Sequence, residues 1–292
     1  MSFLYETGQL AGVAVPSTKI DFIDQLETYS SQYQFNFKPI DLNDLEVSLF
    51  DWLNEIEADV VFVYMFSRKI PTSILSVPQK YGFINFHGGK LPEYRGPVPD
   101  YWMIRNGEKQ GVLTSHFMES DFDSGPILVE IKVNISENET AGTLISKLGL
   151  VAGYCMERTI EELEKGNKGI PQDIEQADFQ RRPEGKELYA DFKNLDAFEI
   201  HALVRAANQR YKGAFSKIRT RPMRILQTTL LSQNEQPQAK PGILFIDRNK
   251  KEIWIGCANN TSIRIDVVDI FEGIFSGYRF AEYVGLRNGE VI

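Results

Sequence analysis

The chain has 292 residues, 42% of them hydrophobic and 25% charged, with 40 acidic against 32 basic side chains and a formal net charge of −8. This is an ordinary globular composition for one large or two smaller domains, and its acid excess argues against a generic nucleic-acid binder, which needs clustered Lys and Arg. Two distant cysteines, Cys155 and Cys257, lack metal-ligand spacing and read as buried reduced thiols, while three histidines are too few for a His-rich metal site.

No apolar run reaches the length of a membrane-spanning helix and no signal peptide is apparent, so the cytoplasm is the expected compartment. In chain order, QLAGVAVP (9–16) reads as a buried strand. Residues 21–33 carry helical spacing at Phe22, Leu26 and Tyr29, and FNFKPI (35–40) alternates like a strand. A helix is expected through about Glu57, with Leu45, Leu49, Trp52, Leu53 and Ile56 on one face. DVVFVYMF (59–66) is a near-continuous apolar strand, as in a parallel sheet covered on both faces. A short helical turn, IPTSILSVPQ, precedes the buried strand FINFHG (83–88). DYWMIRNGE is a short helix, GVLTSHFM (111–118) and PILVEIKV (126–133) are strands, and a long helix spans roughly 140–165. Alternating strands and helices predict an α/β sheet, in which ligands bind beyond the carboxyl ends of strands.

Asn85 and His87 fall at such an end, before a loop stiffened by Pro92, Pro97 and Pro99, and Asp123 lies between the next two strands. These three types suit attack on a polarised carbonyl. An amide donor stabilises an oxyanion, an imidazole moves a proton near neutral pH, and a buried carboxylate holds the ring. A lone N-x-H is more simply a strand cap, and Asp123 alone fits a turn. His116 and His201, on a strand and a helix, have no partner at catalytic spacing and read as structural.

The ordered set N-x-H, L-P-x-Y-R-G-x-x-P, N-G-E and D-x-G resembles the formyltransferase family that uses 10-formyltetrahydrofolate. Its residues here are Asn85, His87, Leu91, Pro92, Tyr94, Arg95, Gly96, Pro99, Asn106, Gly107, Glu108, Asp123 and Gly125. The resemblance implies a Rossmann-like, mostly parallel sheet (the formyltransferase fold) in residues 1–166. A polar linker at 167–193 and a small, OB-like β-barrel at 194–292 follow. VRAANQRYKGAF resembles the carboxyl-terminal domain of methionyl-tRNA formyltransferases, in a helix expected to end before Gly213. That module is expected to wall the substrate pocket or to mediate self-association as a homodimer. The family usually opens with a further strand, glycine loop and helix. Here only eight residues precede QLAGVAVP, so that unit is shortened or the start is unconventional.

By resemblance, Asn85, His87 and Asp123 are catalytic. The folate co-substrate is expected to meet Met65, Phe66, Arg68 and Ile70 after one strand, and Met118 and Asp121 before the aspartate. Phe66 reads equally as core. Gly89 and Lys90 depart from the common H-x-S-L-L-P pattern, and Lys90 resembles some nucleotide-sugar N-formyltransferases. Lys90, Tyr94 and Arg95 are therefore candidate substrate contacts; a solvent-facing lysine, an aromatic core residue and a loop-holding arginine are the plainer readings. The acceptor implied is a nucleotide-linked amino sugar in glycan or lipopolysaccharide biosynthesis. Methionyl-tRNA, hydrolysis of the folate, and a non-catalytic folate-binding scaffold are the alternatives.

Overall fold

In the computed structural model the described residues are 2–18, 20–208 and 210–292. The elements run in chain order as α1 (Ser2–Glu6), β1 (Gly12–Pro16), α2 (Ile20–Tyr33), β2 (Asn36–Ile40), α3 (Leu45–Glu55), β3 (Val60–Tyr64), α4 (Thr72–Leu75) and β4 (Gly82–His87). Next come α5 (Pro99–Arg105), β5 (Gln110–Phe117), β6 (Ile127–Asn134), α6 (Ala141–Glu164) and α7 (Ala197–Ala207). The chain ends with β7 (Ala214–Ile218), β8 (Arg221–Thr229), β9 (Leu244–Asp247), β10 (Glu252–Cys257), β11 (Thr261–Ile270), β12 (Gly273–Ser276) and α8 (Gly277–Tyr283). The helical spacing expected at Phe22 falls in α2, but that side chain lies outside the described residues, as does Gln209 of the carboxyl-terminal motif.

Two compact units divide the chain. The first comprises Met1–Pro97, Val112–Val133 and Leu148–Gln180, and the second Val98–Gly111, Asn134–Lys147 and Arg181–Ile292. In the first, β3-β4-β5-β6 form one ladder, with β3 and β4 parallel and β4 and β5 antiparallel. β1 and β2 form a separate parallel pair. That pair shares a core with the larger sheet all the same. Ile40 of β2 and Leu45, Leu49 and Leu53 of α3 are buried in one cluster with Val63 and Phe83, and Ala14 of β1 packs against it. The i, i+4 spacing of the three leucines gives α3 its single apolar face. β5 is buried from Gly111 to His116, its polar Thr114, Ser115 and His116 included.

In the second unit, Asp196 and Glu199 close a capping box at the start of α7: Asp196 accepts from Glu199 N–H and Glu199 from Asp196 N–H, both at 2.9 Å. The helix ends at Ala207, short of the expected Gly213. Asn208 already has extended angles (φ −61, ψ 146), and its side-chain amide donates to the Leu226 carbonyl at 3.0 Å. The six carboxyl-terminal strands form an antiparallel sheet in the order β7-β8-β11-β10-β9, with β12 on β11. β11 keeps β8 on one side, while on the other it takes β10 along Thr261–Arg264 and β12 along Val267–Ile270, with bulges between Ile265 and Val268. Such irregularities bend a strand and raise its twist. Among the described residues the ladder stays an open path rather than a closed barrel. The segments KIRTRPMR and RNKKE lie at the β7–β8 and β9–β10 turns, as expected of solvated hairpins.

Candidate active site

The register of β4 against β5 builds the site. Asn85 lies directly opposite His116 and His87 opposite Thr114. Facing residues in an antiparallel pair project to the same side, so Asn85, His87 and His116 share one face. Asp123 reaches that face from the turn between β5 and β6. Its backbone is left-handed (φ 54). The turn also requires Gly125, because a Cβ there would meet the Phe117 carbonyl oxygen at 2.0 Å.

Asp123 is the hub. Its Oδ1 accepts from Asn85 Nδ2 at 3.2 Å and lies 3.5 Å from His87 Nδ1 and 3.6 Å from His116 Nε2. Its Oδ2 accepts from the Gly96 N–H at 2.9 Å. Gly96 can turn its N–H this way because its φ is 109, a conformation that favours glycine. Burial pushes the Asp123 carboxyl up, but His116, the His87 charge and the Gly96 N–H outweigh it and hold the group at about 2. The carboxylate is ionised at any working pH.

The hydrogens on both rings follow from their partners. His87 Nε2 is 2.6 Å from the Tyr94 carbonyl oxygen, which can only accept, so Nε2 carries a hydrogen. In the neutral ring the lone pair is then on Nδ1, facing Asp123. Burial pushes the His87 imidazole below its ordinary 6.5, against the pull of Asp123 and of the Tyr94 carbonyl. A proton arriving at this ring binds Nδ1 and meets the carboxylate at once. His116 Nδ1 donates to the Phe117 carbonyl at 2.8 Å, leaving Nε2 to accept from Asn85 Nδ2 at 3.2 Å.

Of the residues singled out in the sequence, Asn85, His87 and Asp123 come together. His116, read there as structural, belongs to the same cluster. Its signal was the strand pairing, which sequence spacing does not reveal. His201 sits elsewhere, in the second unit, with Nδ1 2.9 Å from Thr228 Oγ1; burial there lowers it to about 4. Gln172, inside the stretch read as linker, is the other residue missed. It donates to the carbonyls of Asp123 and Gly125 (2.9 and 2.7 Å) and accepts from Arg95 Nε and Nη2 (3.0 and 2.7 Å). Arg95 thus holds its own loop to the Asp123 turn, and its backbone bridges Phe179.

Lys90 is exposed and paired with Glu93. Tyr94 is buried, with its carbonyl engaged by His87. Met65, Arg68 and Asp121 are exposed, Phe66 and Met118 pack against the α3 core, and Ile70 is buried within it. Cys155 and Cys257 are buried free thiols, pushed up to about 11 and about 12 by burial. Among the described residues no three His, Cys, Asp or Glu side chains converge as metal ligands, and no helix is long and apolar enough to cross a membrane.

The family model described as formyl transferase matches residues 24–160, and that of the formyl transferase C-terminal domain matches 186–273. Methionyl-tRNA formyltransferase of Clostridium botulinum (strain Alaska E43 / Type E3) is 32% identical over 228 residues, which cover 78% of this chain and 71% of that protein. The structure of HypX from Aquifex aeolicus in complex with tetrahydrofolic acid aligns with a TM-score of 0.63 at 19% identity. The alignment covers 90% of this chain and 45% of HypX, so the chain spans about half of that protein. The N-formyltransferase from Helicobacter canadensis, in complex with folinic acid and dTDP-3-aminofucose, aligns at 0.60 and 18% identity, covering 82% and 81%. These two likenesses are of fold. The range of the first family model contains Asn85, His87 and Asp123; with the second model and the relative of 32% identity, this shows that the chain belongs to the formyl transferase family and is an enzyme of formyl transfer.

Proposed function

We propose that the Asn85–His87–Asp123 cluster transfers a formyl group to the primary amine of a nucleotide-linked amino sugar. The observation that carries the chemistry is one ionised carboxylate shared between an amide donor and an imidazole whose far nitrogen is fixed. The donor is 10-formyltetrahydrofolate, which supplies an activated formyl carbonyl. The residues flanking the cluster fit it: Tyr64 and Met65, next to β4 at the end of β3, and Phe122, beside Asp123, leave large apolar surfaces uncovered. A flat ring system needs such flanks. Met65, Phe66, Arg68 and Ile70 on one side, and Met118 and Asp121 on the other, would hold it, with Phe66, Ile70 and Met118 contributing backbone groups because their side chains serve the core.

As the amine nitrogen bonds to the formyl carbon, His87 Nδ1 takes its proton and Asp123 stabilises the imidazolium that results; the bond from the formyl carbon to the folate N10 then breaks and the same proton passes to N10. Asn85 Nδ2 donates to the oxygen that gains charge; such a donor is worth about 3–4 kcal/mol. Lys90, exposed on the loop after His87, would meet the acceptor, with buried Tyr94 and the Arg95–Gln172 contact keeping that loop in place.

The acid excess of the chain and the GGKLP loop favour a small phosphorylated acceptor. The identity to methionyl-tRNA formyltransferases favours methionyl-tRNA, the second reading. One experiment separates them. The protein is incubated with 10-formyltetrahydrofolate and either a panel of nucleotide-linked amino sugars or initiator methionyl-tRNA, and each acceptor is weighed for the gain of one formyl group. Gain on a sugar alone supports the first reading; gain on the tRNA alone replaces it with the second. Formate release without any acceptor would mark a hydrolase.

A further inference from the structure

We infer that His116 is a positioning residue that fixes which end of the Asn85 side-chain amide is offered to the reaction. Both hydrogens of Asn85 Nδ2 are spoken for: one goes to Asp123 Oδ1 and the other to His116 Nε2, each at 3.2 Å. The two partners enforce the same orientation. A flipped amide would set Oδ1 against a carboxylate oxygen and against the bare nitrogen of His116, two acceptors facing a third. His116 Nε2 is bare because Nδ1 carries its hydrogen to the Phe117 carbonyl at 2.8 Å. Nε2 lies 3.2 Å from Asn85 Nδ2 and 3.6 Å from Asp123 Oδ1, so Asn85 is its nearer partner.

The ring is itself fixed. His116 is 1% exposed and stands directly across the ladder from Asn85. Its centroid is 6.5 Å from that of His87, edge to face. A neutral nitrogen is a weaker acceptor than a developing oxyanion. The hydrogen parked on His116 therefore passes to substrate oxygen as charge develops, with the donor already aimed. His116 acts through Asn85 and touches no reacting atom.

The kinetic arm of the test rests on the formyl-transfer reading; the spectroscopic arm does not. His116→Phe keeps a ring of similar size and removes the acceptor, whereas His116→Gln restores an acceptor oxygen in place of Nε2. His116→Phe is expected to lower kcat about ten- to a hundred-fold with the folate KM unchanged, and His116→Gln to recover most of it. In an Asn85→Ala background His116→Phe should cost nothing further, since residues that act as a unit are not additive. Additive losses, or wild-type kcat in His116→Phe, would overturn the inference. Independently, nitrogen-15 NMR of the wild-type protein at neutral pH, assigned by loss of the signal in His116→Gln, should show the Nδ1–H tautomer with Nε2 bare. An Nε2–H or doubly protonated ring would overturn the inference even in a protein whose formyl transfer had not been detected.

Discussion

At the scale of single residues, the site depends on holding unlike protonation states side by side. Asp123 is ionised down to about pH 2, while burial keeps His87 neutral below its ordinary 6.5. The signs follow. The depressed His87 favours its neutral form, so its contribution to stability is whole above 6.5 and is lost as pH falls through its lowered value. Asp123 contributes above 3.8 and loses that contribution as pH falls toward 2. A pH profile of kcat/KM should therefore show an acid limb with its midpoint below 6.5, and a midpoint above 7 would remove His87 as the base. His87→Ala and Asp123→Asn should each lower kcat about a hundred- to ten-thousand-fold without unfolding the protein, as stopped assays and circular dichroism would show. Asp100 carries the opposite sign. Burial raises its carboxyl despite Arg210 Nη2 at 3.6 Å, so the folded state disfavours its charge near neutral pH. Asp100→Asn should raise Tm at pH 7, by about 2–4 °C for each kcal/mol recovered, and the gain should shrink in acid; a lower Tm would mean that the Arg210 pair outweighs burial.

At the scale of elements, Asn85, His87 and Asp123 were legible because each sits in a short string with its own constraint: a strand end, a proline loop, a turn that admits only glycine at 125. His116 and Gln172 were not, for a physical reason. His116 meets Asn85 through the β4–β5 register, and a single sequence does not encode which residues of two apolar strands face each other. Gln172 lies in a polar stretch whose composition resembles any linker. The same limit explains α7: the sequence continues its apolar spacing past Ala207, but the Asn208 contact with the Leu226 carbonyl ends the helix there. Gln172 yields a test at this scale. Gln172→Glu can still pair with Arg95 but cannot donate to the Asp123 and Gly125 carbonyls. It should loosen the turn, raise amide exchange over residues 120–125 and lower kcat about ten- to a hundred-fold, a usual cost of slight misplacement. Unchanged exchange would show that the turn stands without it.

At the scale of the whole molecule, the net charge of −8 makes salt the most direct discriminator of acceptor. Turnover of a nucleotide sugar should fall only mildly between 50 and 200 mM salt, roughly as expected for one or two phosphate contacts, whereas a tRNA acceptor would lose affinity steeply. The interleaving of the two units matters for another process, the making of the chain. Val98–Gly111 and Asn134–Lys147 belong to the second unit but are synthesised long before the rest of it. Tyr101, Met103 and Ile104 on α5 are buried in the folded protein, and α5 packs on α7, which begins only at Ala197. A ribosome thus extends the chain by about ninety residues with the apolar face of α5 still waiting for its cover. A fragment ending at Gln180 freezes that moment. It should aggregate or bind a chaperone where the full chain runs as a defined species in size exclusion, and a well-behaved fragment would show that α5 finds other cover while the polypeptide grows.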